Sequence, residues 1–444
     1  MITNKLQNLK LWLKDPAQNL WVQPALGAIF ALIFSLLAKL ANRFMNSDGV
    51  PKIAPETLYN LLNIIASSML AVTTFSLSIM VSALASTASG TSPRARLLLV
   101  ADRDTRIAIT SFISAFIYAI IAKIALGMQY YGIAGRFVLF ISTICVLIYL
   151  IITLIRWVQT LSQLGSFGDT INKIETIASR SLASHRNSPN LGLLTAIPDG
   201  AIHFFNVTAT KSGYISYISL EDLHKITEEY GLHLHICHRV GDFVEPNETV
   251  FQVFINQPKQ RLDDQFKTSL AIIQHKISKK ISHEFTLRPA RGYGDDPRFG
   301  ILVLSEVGQK SMSAAINDPA STALTLDAIT RILIDTKPSD EQISSYKNLS
   351  IVPLNIKEFL NPVFMPIAKD AHGDLDVNIH LLKCLDLIAR HAPEYELKLA
   401  ATRLAQKIYD RAMAHLSYDA DKAELQRLYT KTFTPNNLHV SSVI

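Results

Sequence analysis

The chain has 444 residues, of which 49% are apolar and 18% charged, and its mean hydropathy is +0.21. This composition excludes a disordered chain and is unusual for a protein that lies wholly in water. The net charge of +6 originates in residues 1–159, which hold 13 Lys/Arg against 5 Asp/Glu, whereas the rest hold 30 against 32. A basic excess confined to the apolar third favours the flanks of membrane spans over a nucleic-acid-binding face.

Residues 1–159 contain apolar stretches that are each long enough to cross a bilayer, which takes about 20 residues of helix. They predict a membrane domain with four transmembrane helices, at about 22–41, 60–86, 107–126 and 137–155. Lys and Arg concentrate before the first span and between the second and third. The positive-inside rule therefore places both termini, and everything after the fourth span, in the cytoplasm. Only three cysteines occur, which fits a reducing compartment.

Hydroxyl side chains recur every four residues along the second predicted span, at Thr74, Ser78, Ser82 and Ser86. This spacing puts them on one face of a helix. One interpretation is close helix packing, because small residues let helices approach in lipid. The other is a hydroxyl-lined path for ions or small solutes.

The loop between the second and third spans is rich in arginine. The simpler interpretation of such a loop is that its arginines fix the orientation of the spans in the membrane and contact anionic lipid headgroups. The functional alternative is a gating or ligand-coupling collar at the cytoplasmic mouth. The arginines are Arg94, Arg96, Arg103 and Arg106.

After the spans the pattern changes twice. Residues 160–190 predict a helical stalk, and residues 198–260 predict a small β-rich module whose strand–helix–strand order resembles a barrel-sandwich of the biotinyl/lipoyl type. A helix replaces the modified lysine of those carriers. His233, His235 and Cys237 alternate, so a strand presents them on one face. They are weak candidates for a metal site, and half-exposed strand positions are the favoured interpretation.

Residues 261–444 predict a mainly helical domain, and its first loop is the densest polar cluster of the chain. Arginine pairs bind phosphate or carboxylate, and paired aspartates can hold a divalent cation. An ion-paired structural turn is the simpler interpretation. Asn317 and Asp318, which precede Pro319, are further ligand-binding candidates, and helix capping is the simpler interpretation of Asp318. The ligand-binding candidates in the loop are Arg288, Arg291, Asp295, Asp296 and Arg298.

Several segments together resemble one family, the uncharacterised bacterial membrane proteins known as domain of unknown function 2254. The match includes the signature Ser92-Pro93-Arg94 and departs from the family at Gly292 and at residues 157–160. The resemblance implies an inner-membrane protein and brings no established activity. The matching segments are Phe75–Ile121, Ser212–Ile218, Gly241–Val253 and Arg291–Ala323.

The sequence carries no nucleophile elbow, phosphate-binding loop, HExxH or dinucleotide fingerprint, so we predict neither an enzyme nor a cofactor. The favoured hypothesis is an oligomeric channel or transporter for ions or small solutes, with a cytoplasmic regulatory region. The alternative is a membrane-anchored ligand sensor or scaffold. A membrane-bound enzyme using Asp295 and Asp296 ranks lowest. The expected partners are the lipid bilayer and further copies of the chain, and no nucleic acid.

Overall fold

The computed structural model describes most of the chain after residue 50. It divides into two compact units, a membrane unit (Met1–Ser89 and Arg96–Asp169) and a C-terminal unit (Gly90–Ala95 and Thr170–Ile444). The first predicted span, 22–41, lies outside the described residues except at three positions, so the count of four spans stays a prediction. The described residues are 25, 29, 33, 51–90, 92–95, 103–163, 166–256, 264–338 and 345–433.

Three described helices of the membrane unit are long and apolar enough to cross a bilayer. They are α1 (Pro55–Gly90), α2 (Arg103–Gly127) and α3 (Ile133–Gln163). With 36 residues, α1 measures roughly 54 Å at 1.5 Å per residue. That exceeds a hydrocarbon core of about 30 Å, as expected from the uncharged run between Glu56 and Arg94.

Apolar and small side chains hold these helices together. Leu58 and Leu62 of α1 are fully buried, as are Phe112 and Ala119 of α2. The ammonium group of Lys123 also donates a hydrogen bond from α2 to Asn63 Oδ1 of α1 at 2.8 Å.

The C-terminal unit mixes strands and helices. The strands are β1 (Leu193–Leu194), β2 (Ala201–Thr208), β3 (Gly213–Ile218), β4 (Leu232–Ile236), β5 (Phe243–Val244), β6 (Thr249–Asn256), β7 (Phe285–Arg288) and β8 (Tyr346–Ile351). The helices, beginning with the one that enters this unit, are α4 (Phe167–Asn187), α5 (Leu220–Tyr230), α6 (Asp264–Ser282), α7 (Phe299–Ser311), α8 (Pro319–Asp335), α9 (Asn361–Asp370), α10 (Leu375–His391), α11 (Tyr395–His415) and α12 (Asp419–Phe433).

The strands form two sheets, one five-stranded in the order β1-β8-β4-β6-β2 and one three-stranded in the order β5-β3-β7. The first sheet is mixed, because β8 runs parallel to β1 and β4 while β4 and β2 run antiparallel to β6. The second is antiparallel. Leu234, Phe251 and Leu349 are fully buried in the shared core. The structure thus has a mixed-sheet region, and its likeness to a barrel-sandwich stays a prediction.

Strand β8 was not expected, since the sequence from residue 261 onward predicts mainly helix. It lies between β1 and β4, and its residues Leu349 and Ile351 are buried there. The strand completes a sheet whose other members end 90 residues earlier, at Asn256. Its existence therefore depends on a distant pairing, which no local pattern in six residues specifies.

Helix α8 begins where the sequence predicts a helix start. Asp318 caps α8, with its carboxylate accepting from the Ser321 backbone N–H at 3.1 Å, and Pro319 occupies the first turn. Gly300 lets α7 approach α4 closely, because a Cβ at that position would meet the Cβ of Ala178 at 2.5 Å. The start of α7 is therefore held firmly, and it carries the residues of the candidate site.

Candidate ligand-binding site

The carboxylate of Asp296, just before α7, is 1% exposed and is enclosed by two arginines. Arg291 donates from Nε to Oδ2 at 2.8 Å and from Nη2 to the same oxygen at 2.5 Å. Arg298 donates from Nε to Oδ1 at 3.1 Å. Burying a carboxylate is costly unless cations and hydrogen bonds compensate for the lost water, and both oxygens are compensated here.

Arg298 also links this loop to the turn that precedes β5. Arg298 Nη2 donates to Asp242 Oδ1 at 2.8 Å and to the carbonyl of Val240 at 3.2 Å. Gly241 between them has a φ of +92°, and a Cβ there would overlap the Asp296 carboxylate. Only glycine fits both the left-handed backbone and this close approach.

A third arginine, Arg239, adds positive charge near Arg298 and Asp242. Arg239 is 7% exposed, and its Nε donates to the carbonyl of Val352 at 2.8 Å. Its buried Nη2 has no hydrogen-bond partner in the described part of the chain. Burial, with the nearby charge of Arg298 as the next cause, lowers the pKa of Arg239 to about 10, so it stays charged at neutral pH. Three arginines thus face two aspartates, Asp242 and Asp296, which leaves one positive charge in excess.

A cavity of about 260 Å³ opens beside these groups. Two guanidinium groups and several apolar side chains form its wall. Such a wall suits an anion that carries an apolar group, because the guanidinium donors match carboxylate or phosphate oxygens. The lining residues are Arg291, Arg298, Ile301, Leu302, Phe359, Pro362 and Val363.

The segment between the second and third predicted spans contacts the same loop. The guanidinium carbon of Arg291 lies 5.4 Å from the centre of the Phe299 ring, and that of Arg94 lies 5.8 Å from it. Both distances are in the range of cation–π contacts. Arg94 also pairs with Glu306 of α7 at 2.5 Å, and its carbonyl accepts from the Tyr293 hydroxyl at 3.0 Å. One buried aromatic ring therefore contacts both a cavity arginine and the signature arginine of the loop.

A family model described as "Predicted membrane protein (DUF2254)" matches residues 17–386, well over half of the chain. The chain belongs to this family. The resemblance found in the sequence is thereby confirmed. Comparison with curated proteins and comparison with solved structures give no match.

In this DUF2254 protein the remaining loop candidates lie apart from the cavity wall. Arg288 and Asp295 are exposed. The carboxylate of Asp318 caps α8, and Asn317 before it has a left-handed φ of 48°. Asp296 is bound to two arginines, so a cation shared by Asp295 and Asp296 has no support in this geometry.

The hydroxyl row of α1 does not lie on the face that packs within the described membrane unit. Thr74, Ser78 and Ser82 are exposed, and the Thr74 hydroxyl donates to the carbonyl of Leu70 at 2.9 Å. Ser86 belongs to α1, but its side chain lies outside the described residues. The same holds for the side chains of three loop arginines, Arg96, Arg103 and Arg106.

The two histidines of β4 both contact one hydroxyl. His233 Nε2 and His235 Nδ1 lie 2.8 and 2.9 Å from Ser350 Oγ of β8. Burial lowers the pKa of both rings, that of His233 to about 4, so they are neutral at pH 7. Their hydrogen bonds cross the parallel β4–β8 pair and account for their placement.

Among the described residues, one group of three side chains could hold a metal ion, and the sequence alone does not indicate it. It comprises Asp327, His380 and Cys384, whose ligand atoms all lie within 4.8 Å of one another. The spacing of His380 and Cys384, four residues apart on a helix, was the available signal. The third member lies on another helix, so the sequence does not reveal it.

Proposed function

We propose that this protein is a membrane-anchored sensor whose C-terminal unit binds a small organic anion and passes the bound state to the connection between the second and third spans. The observation that carries the proposal is the double role of Arg291. It lines the cavity and also contacts the Phe299 ring, which Arg94 contacts as well. The positive-inside pattern supports a cytoplasmic position for this unit, in a bacterial inner membrane with both termini inside.

The charge balance supports an anionic ligand. Arg239, Arg291 and Arg298 exceed Asp242 and Asp296 by one positive charge, and one buried guanidinium nitrogen lacks a partner in the described residues. An anion in the cavity reduces that excess. The apolar part of the wall lowers the local dielectric constant, which strengthens the attraction between the guanidinium groups and the ligand.

The contact chain supports the coupling. A ligand that attracts Arg291 competes with its contacts to Asp296 and Phe299. Any change at the ring reaches Arg94, which is covalently continuous with α1 through residues 90–93. A ligand shifts such an equilibrium only by its difference in affinity for the two arrangements, and coupling free energies of about 1–3 kcal/mol are typical.

The test uses the full chain in detergent and isothermal titration calorimetry with three probes. Phenyl phosphate offers an anion and an apolar ring, inorganic phosphate the anion alone, and phenol the ring alone. We expect phenyl phosphate to bind most tightly and Arg291→Gln to weaken it by tenfold or more. The matched control is Arg390→Gln, which removes an exposed arginine paired with Asp386 on α10. Equal binding by Arg291→Gln and the wild type would refute the site.

The coupling needs its own measurement. In the wild type we expect phenyl phosphate to change hydrogen exchange in peptides covering residues 88–95. Arg94→Gln lies outside the cavity wall and should keep the binding constant while losing that change. If exchange in these peptides is the same with and without ligand, the protein binds the anion without transmitting it.

A second function, an oligomeric channel or transporter, is favoured by the exposed hydroxyl row. Thr74, Ser78 and Ser82 are exposed on α1 within the described membrane unit, and assembly of several copies would cover such a row. Liposomes with the reconstituted protein should conduct small ions, and Ser78→Leu should reduce the flux. Ser78→Thr, which keeps a hydroxyl at the same position of the row, is the control and should keep the flux. Tight liposomes, or flux unchanged by Ser78→Leu, would exclude this function for the row.

A further inference from the structure

A polar group unrelated to the cavity joins α8 and α10. Asp327 lies on α8, and His380 and Cys384 lie one helical turn apart on α10. His380 Nε2 is 2.7 Å from Asp327 Oδ1. The Cys384 sulfur completes a triangle in which every pair of ligand atoms is within 4.8 Å.

The three side chains of this group differ in their exposure to solvent. Cys384 is 2% exposed, whereas the side chains of His380 and Asp327 are 30% and 43% exposed. An ion can therefore enter from the histidine and aspartate side and reach a thiolate that is shielded from solvent. An exposed ion pair would explain the contact between His380 and Asp327, but it would not explain a thiol at the same point.

We propose that Asp327, His380 and Cys384 form a site for Zn²⁺ that clamps α8 to α10 and leaves a fourth position for water. One thiolate, one imidazole and one carboxylate make a ligand set of intermediate softness, which suits Zn²⁺ or Co²⁺ and not Mg²⁺ or Ca²⁺. With bonds of about 2.0–2.3 Å, ligand atoms on a tetrahedral ion lie roughly 3.3–3.8 Å apart. The separation of 2.7 Å between His380 Nε2 and Asp327 Oδ1 is below that range, and the limit of 4.8 Å on the other pairs is about 1 Å above it, so side-chain rotations are needed to seat the ion.

The proton balance of binding is simple. The Cys384 thiol releases one proton to solvent and binds as the thiolate. His380 binds through Nε2 as the neutral ring, with its proton on Nδ1, so the hydrogen bond between His380 and Asp327 is replaced by two bonds to the ion. The Thr330 hydroxyl, one turn from Asp327 on α8, lies near the sulfur but donates to the carbonyl of Leu326 at 2.8 Å, so the ion itself balances the charge of the thiolate.

The test is a Co²⁺ titration of the full, tag-free, metal-stripped chain in detergent, followed by absorbance. A Co²⁺–thiolate bond gives a charge-transfer band in the near ultraviolet, and we expect it to saturate at one ion per chain and to disappear when Zn²⁺ is added. Cys384→Ser should lose the band, and Cys237→Ser, the matched control, should keep it. His380→Gln, at a partly exposed position where folding is little affected, should weaken Co²⁺ binding tenfold or more.

Two results would overturn the site: a wild type without the band, or a band that persists in Cys384→Ser. Equal Co²⁺ affinity of His380→Gln and the wild type would do the same, even if Cys384→Ser failed to fold. The outcome is independent of the anion cavity, because Arg291→Gln should bind Co²⁺ as the wild type does.

Discussion

The two units satisfy their buried polar groups in different ways. In the membrane unit the buried hydroxyls of four threonines bond to carbonyls of their own helix, as Thr73 does to that of Met69 at 2.6 Å and Thr153 to that of Tyr149 at 2.8 Å. In the C-terminal unit several buried charges bond across long stretches of chain, as Arg186 does to Glu394 at 2.8 Å and Arg239 to the carbonyl of Val352 at 2.8 Å. A hydroxyl within reach of its own backbone needs no distant partner. A buried guanidinium does, so its stability depends on the tertiary fold.

Because of this difference, removing a buried polar side chain should lower the free energy of unfolding most in the C-terminal unit. The largest effect is expected for Arg186→Met. Arg186 is 5% exposed in its side chain and donates to both carboxylate oxygens of Glu394 and to the carbonyls of Leu333 and Thr336. Removing it leaves Glu394 without its cation, which costs about 3 kcal/mol of unfolding free energy. The thermal midpoint should fall by 2–4 °C for each kcal/mol, as is typical of a domain of roughly this size.

The control for this prediction is Arg331→Met. Arg331 pairs with Glu175 at 2.7 Å, but its side chain is 48% exposed. A pair of this kind contributes about 0–1 kcal/mol. If the two substitutions lowered the midpoint equally, the contrast between buried and exposed charges in the C-terminal unit would be lost.

The same contrast marks how far the sequence could predict the structure. Local signals were sufficient for the Asp318 cap and for the helix within the strand–helix–strand order, which is α5 and ends at Gly231 with the left-handed φ of 64° that glycine favours. They were not sufficient for strand β8 or for the contact between Arg94 and Phe299. These depend on segments that lie about 100 to 200 residues apart, and a three-residue signature cannot indicate its distant partner.

In the candidate site, the sequence predicted the participants better than their roles. Arg291, Asp296 and Arg298 come together as one ion-paired cluster, whereas Asp295 points to solvent. The composition of the loop predicts charge pairing. It does not predict which aspartate is buried, because that depends on Gly241, 55 residues earlier in the chain.

A smaller effect is expected from acid. Burial lowers the pKa of His185 to about 4, and the adjacent charges of Arg239 and Arg186 act in the same direction, against the opposing charge of Glu394. The unfolded state, with a pKa of about 6.5, takes up the proton first. This ring therefore leaves stability unchanged above pH 6.5 and lowers it as pH falls from 6.5 towards 4, by at most about 1.4 kcal/mol per pH unit.

The measurement compares thermal midpoints of the wild type and His185→Gln between pH 7 and pH 4.5. The variant should lose less stability over that interval. All 13 histidines lie at or after residue 185, so the membrane unit has no group of this type. Parallel pH profiles for the two proteins would show that His185 is not kept neutral in the folded state.

A still smaller loss of stability is expected in the membrane unit, for Thr143→Val. Thr143 is 1% exposed, donates to the carbonyl of Leu139 at 2.7 Å and lies 3.2 Å from the Tyr118 hydroxyl. Valine keeps the shape, the Leu139 carbonyl keeps its helical bond, and Tyr118 keeps Ser142 at 2.7 Å. Hydrogen bonds between helices in lipid average only about 0.6 kcal/mol, so denaturation in mixed detergent micelles should show a loss of that size. Thr153→Val, whose hydroxyl bonds to its own helix, should cost less still. A loss of unfolding free energy as large as that of Arg186→Met would mean that the membrane unit also depends on a specific polar network between its helices. The hydroxyl row of α1 would then be interpreted as hydrogen-bond partners of other helices and not as a solvent-facing row.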